Sequence, residues 1–168
     1  MEPPSIEQLL ELSRVVGQRL AAANYTVATA ESCTGGALAS TLTDIAGSSD
    51  YVLGGVVSYS NQAKLEGLGV RPTTLQTHGA VSAETAAEMA RGVRRLLHSH
   101  LGVSTTGIAG PGGGTPEKPV GLVYLHLSAP DAEWGERHVW PYDRLGNKRA
   151  TVAAALTLIQ RYLHQAAG

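Results

Sequence analysis

Apolar segments too short for helices alternate along this chain with segments of helical period, and two of the short ones run straight into glycine-rich turns. TVATA (Thr26 to Ala30) ends in ESCTGG (Glu31 to Gly36), and the apolar stretch Val103 to Ile108 ends in AGPGGGTPEKP. Brief apolar runs bounded by turn residues are the pattern of buried strands. Strands that alternate with helices place helices against the faces of a sheet, so the alternation points to a layered α/β domain.

The remaining segments fit that scheme. Ser5 and Gln8 have the spacing of a capping box, and Ile6, Leu9, Leu10, Val16 and Leu20 recur at helical spacing to about Ala23, with Asn24 as a stop. A helix leaves ESCTGG over Ala37 to Thr43. Asp50 to Tyr59 reads as a strand in which Gly54 and Gly55 imply a bulge or a close backbone approach. Asn61 to Leu68 reads as a short helix. Ser82 caps another, whose apolar face carries Met89, Val93, Leu96 and Leu97. Val120 to Ser128 and Arg137 to Trp140 form a strand pair across a loop at 131–136, which makes part of the sheet antiparallel. The last helix spans about Asn147 to His164.

Composition narrows the function. With 168 residues and no evident linker, residues 1–168 are expected to form one domain, and 43% hydrophobic content supplies a packed core. Phe is absent, so aliphatic residues fill it. A formal net charge of −1 gives no general electrostatic reason to bind nucleic acid or an acidic membrane. A single cysteine, Cys33, excludes an intrachain disulfide and a cysteine-rich zinc site, and the six histidines show no metal spacing. No apolar run reaches the roughly 20 residues of a membrane span, and the N-terminus lacks a signal-peptide pattern, so the expected location is cytoplasmic.

Four places hold candidate chemistry. ESCTGG sets a carboxylate, hydroxyls and a thiol between a strand and a helix, where free N–H groups and the helix dipole suit a phosphate or an oxyanion; its plain alternative is a turn with Thr34 as N-cap. In Tyr59-Ser60-Asn61-Gln62-Ala63-Lys64 a helical start folds Lys64 back toward Tyr59, and a lysine of lowered pKa can deprotonate a serine; a surface lysine is the plain alternative. The loop after Thr106, with Gly107, Ala109 and Gly110, is an N–H-rich wall for a small ligand or simply a long surface loop. It is neither a Walker loop nor a GxGxxG site. Arg144, Lys148 and Arg149 open the last helix, where their charge opposes the dipole and a bound anion relieves the conflict; solvated charges are the alternative.

TAESCTGG, GGVVSYSNQAK, GAVS, TTGIAGPGGGTPEKPVG and the basic last helix, in this order, closely resemble the CinA C-terminal domain family. The resemblance runs from about Leu9 to Leu163. It implies a three-layer α/β/α sandwich with a mixed, mainly parallel sheet, usually oligomeric. It also implies hydrolysis of the carboxamide of nicotinamide mononucleotide to nicotinate mononucleotide and ammonia, a step in pyridine nucleotide salvage, with no metal or other cofactor. Many family members carry a further N-terminal domain, so a chain of this length resembles the stand-alone deamidase. The family's last helix commonly reads Arg-x-x-x-Arg-Arg after Phe-x-Gly-Asp-Arg. Here Lys148 takes one Arg position and Tyr142-Asp143-Arg144 precedes it. Lys lacks the bidentate fork of Arg.

On the family's pattern Ser32 is the nucleophile, Lys64 its general base, and Tyr59 a proton shuttle or an orienter of Lys64. Backbone N–H groups of Thr34 to Gly36 then serve the oxyanion or phosphate, Thr106 and Asn61 orient the ligand, and Glu31 holds a lysine or a ribose hydroxyl. Spacing alone leaves Cys33 open as the nucleophile, because a helix N-terminus also activates a thiolate. Two other readings stand beside this one: a non-catalytic nucleotide-binding module, and an amidase without phosphate selectivity.

Overall fold

A computed structural model describes residues 2–166. It contains α1 (Ile6–Ala23), β1 (Val27–Glu31), α2 (Ala37–Thr43), β2 (Val52–Val57), α3 (Asn61–Leu68), α4 (Pro72–His78), α5 (Ala83–Leu97), β3 (Leu101–Gly107), β4 (Leu122–Ser128), β5 (Glu133–Val139) and α6 (Arg144–Ala166), with a short 3-10 turn at Ser48–Asp50. The five strands form one sheet in the order β2-β1-β3-β4-β5. β1 pairs in parallel with β2 and β3, and β4 runs antiparallel to both of its neighbours. The architecture is the α/β sandwich with a mixed sheet: α1, α2 and α6 pack together on one face, and α3, α4 and α5 on the other. No described helix is long and apolar enough to cross a membrane.

Residue size on each strand face follows from what covers it. β1 is buried on both sides; Val27 joins the larger core under α1, α2 and α6, while Ala28 and Ala30 join Met89 and Val93 of α5. On β3, Leu101 and Val103 fill the larger core. The alternate positions Gly102 and Ser104 are small because α5 lies directly on them: Ser104 Oγ donates to Ala86 O at 2.6 Å, and a Cβ on Gly102 would lie 2.1 Å from Ala90 O. Chain order places the first crossover to one side of β1 and the second to the other. The carboxyl ends of β1 and β3 therefore border a topological switch point, where open α/β sheets leave a crevice.

Local signals explain most boundaries. Ser5 and Gln8 form the capping box of α1, and Asn24 ends it in the left-handed region at φ 54°. Ser60 and Ser82 each accept a backbone N–H to start α3 and α5. Gly55 marks a close approach, since a Cβ there would lie 2.3 Å from Thr29 Oγ1, while the register shifts between Val27 and Ala28.

Two expectations need correction. The loop expected at 131–136 is a tight turn closed by Ala129 N–H on Ala132 O, and β5 starts at Glu133 because its charged residues suit a sheet edge. The last helix begins at Arg144 rather than Asn147, because the Asp143 carboxylate accepts the Gly146 N–H at 2.7 Å and caps it three residues earlier. Helix α4, which the sequence analysis does not assign, starts with Pro72 in its first turn.

The crossing of α3 and α5 gives a direct test. A Cβ on Gly92 would lie 2.0 Å from the backbone Leu68 O at the end of α3. Gly92→Ala is expected to lose about 1–3 kcal/mol in a urea unfolding titration, the scale of an overpacked core; an unchanged midpoint would show that α3 yields freely.

Candidate active site

Glu31 ends β1 with its side chain under the start of α2, and it is 1% exposed. Its Oε2 accepts from Gly36 N–H at 3.1 Å, Leu38 N–H at 3.0 Å and Thr34 Oγ1 at 2.5 Å; its Oε1 accepts from Ala39 N–H at 2.8 Å. A buried carboxylate is tolerated when its lone pairs are filled in this way, and here it also supplies negative charge to the helix N-terminus. Gly36 makes the tight turn possible at φ 98°, where a side chain is strained. Thr34 Oγ1 further contacts Thr105 Oγ1 at 2.7 Å, which ties the turn to β3.

This changes what the turn offers a ligand. Ser32 N–H is bonded to Thr105 O, Gly35 N–H to Ser32 O and Ala37 N–H to Thr34 O, while Gly36, Leu38 and Ala39 serve Glu31. Among the described residues, the N–H groups of Cys33 and Thr34 find no oxygen acceptor in this turn. The expected anion site at Thr34 to Gly36 is thus filled internally at Gly35 and Gly36. The side chains of Glu31 and Thr34 are likewise committed to the turn rather than to a ligand.

Ser32 and Lys64, 32 residues apart, meet. Lys64 Nζ lies 3.0 Å from Ser32 Oγ and donates to Ser58 O at 2.7 Å. The Ser60 cap on Ala63 N–H starts α3 so that Lys64 points back under the end of β2. Lys64 is 1% exposed, and among the described residues no carboxylate forms an ion pair with it. Burial pushes its pKa below the ordinary lysine value, because the ammonium form loses its hydration.

Cys33 points the other way, into the larger core, and is 7% exposed. Burial, followed by the charge of Glu31, pushes its thiol up to about 12. The neighbouring residues therefore differ in kind: a hydroxyl beside an amine, and a protonated thiol among aliphatic side chains.

Helix α6 holds the other side of the site. Arg144 donates through Nη1 to Gly110 O at 2.6 Å and through Nη2 to the Tyr59 hydroxyl at 2.9 Å. Asn147, a buried residue that no motif singles out, donates to Ala109 O at 3.0 Å and accepts from Tyr142 N–H. The expected conflict of Arg144 with the helix dipole is met by Asp143. Lys148 reaches the turn, its Nζ lying 3.7 Å from the place of a Cβ on Gly35. A groove of about 510 Å³ opens beside it between α1, α2 and α6, lined by Leu10, Ala37, Leu145, Lys148 and Arg149 among others.

Other expected contacts are structural. Thr106 Oγ1 donates to Ala80 O at 2.6 Å, and Thr106 is 1% exposed, so it pins the 78–82 turn instead of facing a ligand. Gly107 is a close-packing position: a Cβ there would lie 2.5 Å from Leu122 O. Lys118 Nζ donates to His78 O and Val81 O and pins the same turn from the glycine loop. Tyr59 is bonded to Arg144, and the group that orients Lys64 is the carbonyl of Ser58. Asn61 is exposed at the first position of α3.

The family model of the CinA C-terminal domain matches residues 9–163. The chain belongs to this family. A CinA-like protein of Desulforapulum autotrophicum is 49% identical over 153 residues, which is 90% of this chain and 36% of that protein. A putative competence-damage inducible protein of Moorella thermoacetica is 51% identical over 152 residues, 90% of this chain and 37% of that protein. The chain thus spans little more than a third of the length of these relatives. Solved structures of similar size agree with the CinA fold. A competence/damage inducible protein from Agrobacterium tumefaciens superposes with TM-score 0.90 at 42% identity, over 98% of this chain and 99% of that one. A CinA superfamily protein from Klebsiella pneumoniae gives TM-score 0.91 at 32% identity, over 94% and 98%.

Two outcomes test the site's electrostatics. Cys33 is expected to stay unmodified by a thiol reagent at pH 8 in the native protein and to react fully in denaturant; rapid native labelling would contradict its burial. Lys64 has a folded-state pKa below its unfolded value of about 10.4, so between the two the unfolded chain binds more protons and stability rises with pH. The gain should be present in the native protein and absent in Lys64→Met, when denaturant midpoints are compared from neutral to mildly alkaline pH.

Proposed function

We propose that this CinA-family chain is an amidohydrolase that converts nicotinamide mononucleotide to nicotinate mononucleotide and ammonia through a Ser32–Lys64 pair, in the salvage of pyridine nucleotides. The observation that carries the reading is a buried lysine without a carboxylate partner among the described residues, its amine 3.0 Å from a serine hydroxyl at the switch point of the sheet.

Neutral Lys64 accepts the Ser32 proton as Oγ attacks the carboxamide carbon. The N–H groups of Cys33 and Thr34, left over by the turn, receive the oxyanion. Collapse of the tetrahedral intermediate breaks the C–N bond, and the proton held by Lys64 passes to the departing nitrogen, which leaves as ammonia. Water then attacks the Ser32 ester, giving up its proton to Lys64, which returns it to Ser32 as the acid is released. Tyr59, held by Arg144 at the mouth of the site, relays a proton between Lys64 and the leaving group. Lys148, over the Gly35 turn, and Arg149 next to it take the phosphate; Arg144 is already engaged with Gly110 and Tyr59. Asn61, at the exposed start of α3, orients the ligand.

Ser32→Ala is expected to lower kcat by several orders of magnitude, while Cys33→Ala keeps most of it, with ammonia release from nicotinamide mononucleotide as the measurement. Lys64→Arg should fold, bind substrate and remain nearly inactive, because it keeps the charge without a dissociable proton. In the native protein kcat should rise with pH through the lowered lysine pKa. Equal loss in Ser32→Ala and Cys33→Ala, or near-native turnover in Lys64→Arg, would overturn the pair. Binding of the nucleotide with no ammonia release at any pH would favour a non-catalytic module, and equal rates on nicotinamide riboside would remove the phosphate from recognition.

A further inference from the structure

Ser58 holds the Lys64 amine through its carbonyl at 2.7 Å, while its own side chain is bonded to nothing. The residue is 0% exposed, and among the described residues its hydroxyl has no hydrogen-bond partner. A buried hydroxyl left unpaired is a net loss that an alanine, with nothing to desolvate, would avoid. Thr29 Oγ1, the Tyr51 hydroxyl and Arg149 Nε are orphaned in the same way. Ser58 differs from them in that it is already bonded to the serine–lysine pair.

Lys64 has the converse deficit. The neutral amine offers two N–H groups and a lone pair, and the Ser58 carbonyl and the Ser32 hydroxyl are its partners. The ammonium has three N–H groups. Ser58 O takes one, Ser32 Oγ or the ligand takes another, and no carboxylate of the described residues is there for the third. The charged groups on the surrounding elements are spent elsewhere. Glu31 serves its own turn, Glu88 of α5 holds Arg71 and Thr74, and Glu66 of α3 is bonded to Gln62. Arg95 of α5 reaches the far end of α3, its Nη2 lying 3.7 Å from the place of a Cβ on Gly69. The Cys33 thiol, pushed up to about 12, carries no charge at ordinary pH. The Ser58 hydroxyl sits on the residue whose carbonyl Nζ touches, and a change of χ1 rotamer changes its distance to the amine.

We propose that Ser58 is a positioning residue for the Lys64 base: its hydroxyl turns to accept the third N–H while Lys64 carries the Ser32 proton, and lets go when that proton passes to the departing nitrogen. The hydroxyl gains its partner only as the charge forms on Lys64. The bond is therefore stronger in the transition state than in the resting protein, which is the kind of interaction that raises kcat. The part in turnover rests on the functional reading above, whereas the contact with the ammonium does not.

The first measurement needs no activity. The 13C shift of the Lys64 ε carbon, titrated without substrate, reports the lysine pKa in native protein and in Ser58→Ala. Loss of an acceptor that serves only the ammonium should move the midpoint about one pH unit lower, and Ser58→Thr, which keeps a hydroxyl, should restore it. In ammonia release from nicotinamide mononucleotide, Ser58→Ala should lower kcat about tenfold with KM unchanged, and its pH profile should move with the Lys64 midpoint. Above that midpoint, where the amine is neutral, Ser58→Ala should be no less stable to urea than native protein. An unchanged Lys64 midpoint in Ser58→Ala, an unchanged kcat beside a shifted midpoint, or a clear loss of urea stability, which would give the hydroxyl a structural duty, would each overturn the proposal. If Ser58→Thr does not fold, the comparison of native protein with Ser58→Ala decides. If native protein releases no ammonia, the functional reading fails, and the Lys64 midpoint still decides the contact.

Discussion

The carboxylate of Glu31 organises everything around it. Four donors from the Thr34–Ala39 segment converge on it, so the start of α2 needs no outside anion and the ESCTGG turn has one shape. That shape decides the fates of two consecutive side chains. Ser32 is directed at the Lys64 amine and Cys33 into the aliphatic core. A turn that relied on a bound ligand to satisfy its N–H groups would be loose when empty. This one is assembled beforehand, and the donors it leaves free are those nearest the serine.

Lys64 illustrates how the fold sets reactivity without an added charge. Its amine is buried next to a hydroxyl and a carbonyl, neither of which compensates an ammonium as a carboxylate would. Desolvation therefore lowers its pKa below the ordinary lysine value. The cost appears as a buried polar group in a small domain, and it is met by two hydrogen bonds and by the Ser60 cap that fixes the first turn of α3.

Much of this was legible in the order of the residues. Periodicity, serine caps and glycine turns placed α1, α2, α3, α5 and the inner strands, because each of those signals acts within a few positions. ESCTGG and the Lys64 segment stood out because hydroxyl, carboxylate and amine in tight turns are unusual outside chemistry. What stayed hidden depends on partners distant in the chain. Thr106 looks like a ligand group until Ala80 is seen across from it. Glu31 has no evident role until α2 is placed above it, and Asn147 reads as one polar residue among many in a long helix. β5 was cut short because its charged residues suit an edge strand and a solvent loop equally well.

The first turn of α6 has a consequence for motion. Arg144 and Asn147 clamp the near end of the glycine loop at Ala109 and Gly110, and Lys118 clamps the far end onto the 78–82 turn. Freedom is left only to the middle, where a Cβ on Gly112 would meet nothing within 4 Å. A ligand that settles there has few backbone torsions to freeze, so the entropic charge on binding is confined to the tip. The Tyr59 phenol shares the guanidinium with Gly110, and any larger excursion of the loop must carry the phenol with it or release it. Opening of this loop and the position of the Tyr59 phenol are in this way a single degree of freedom.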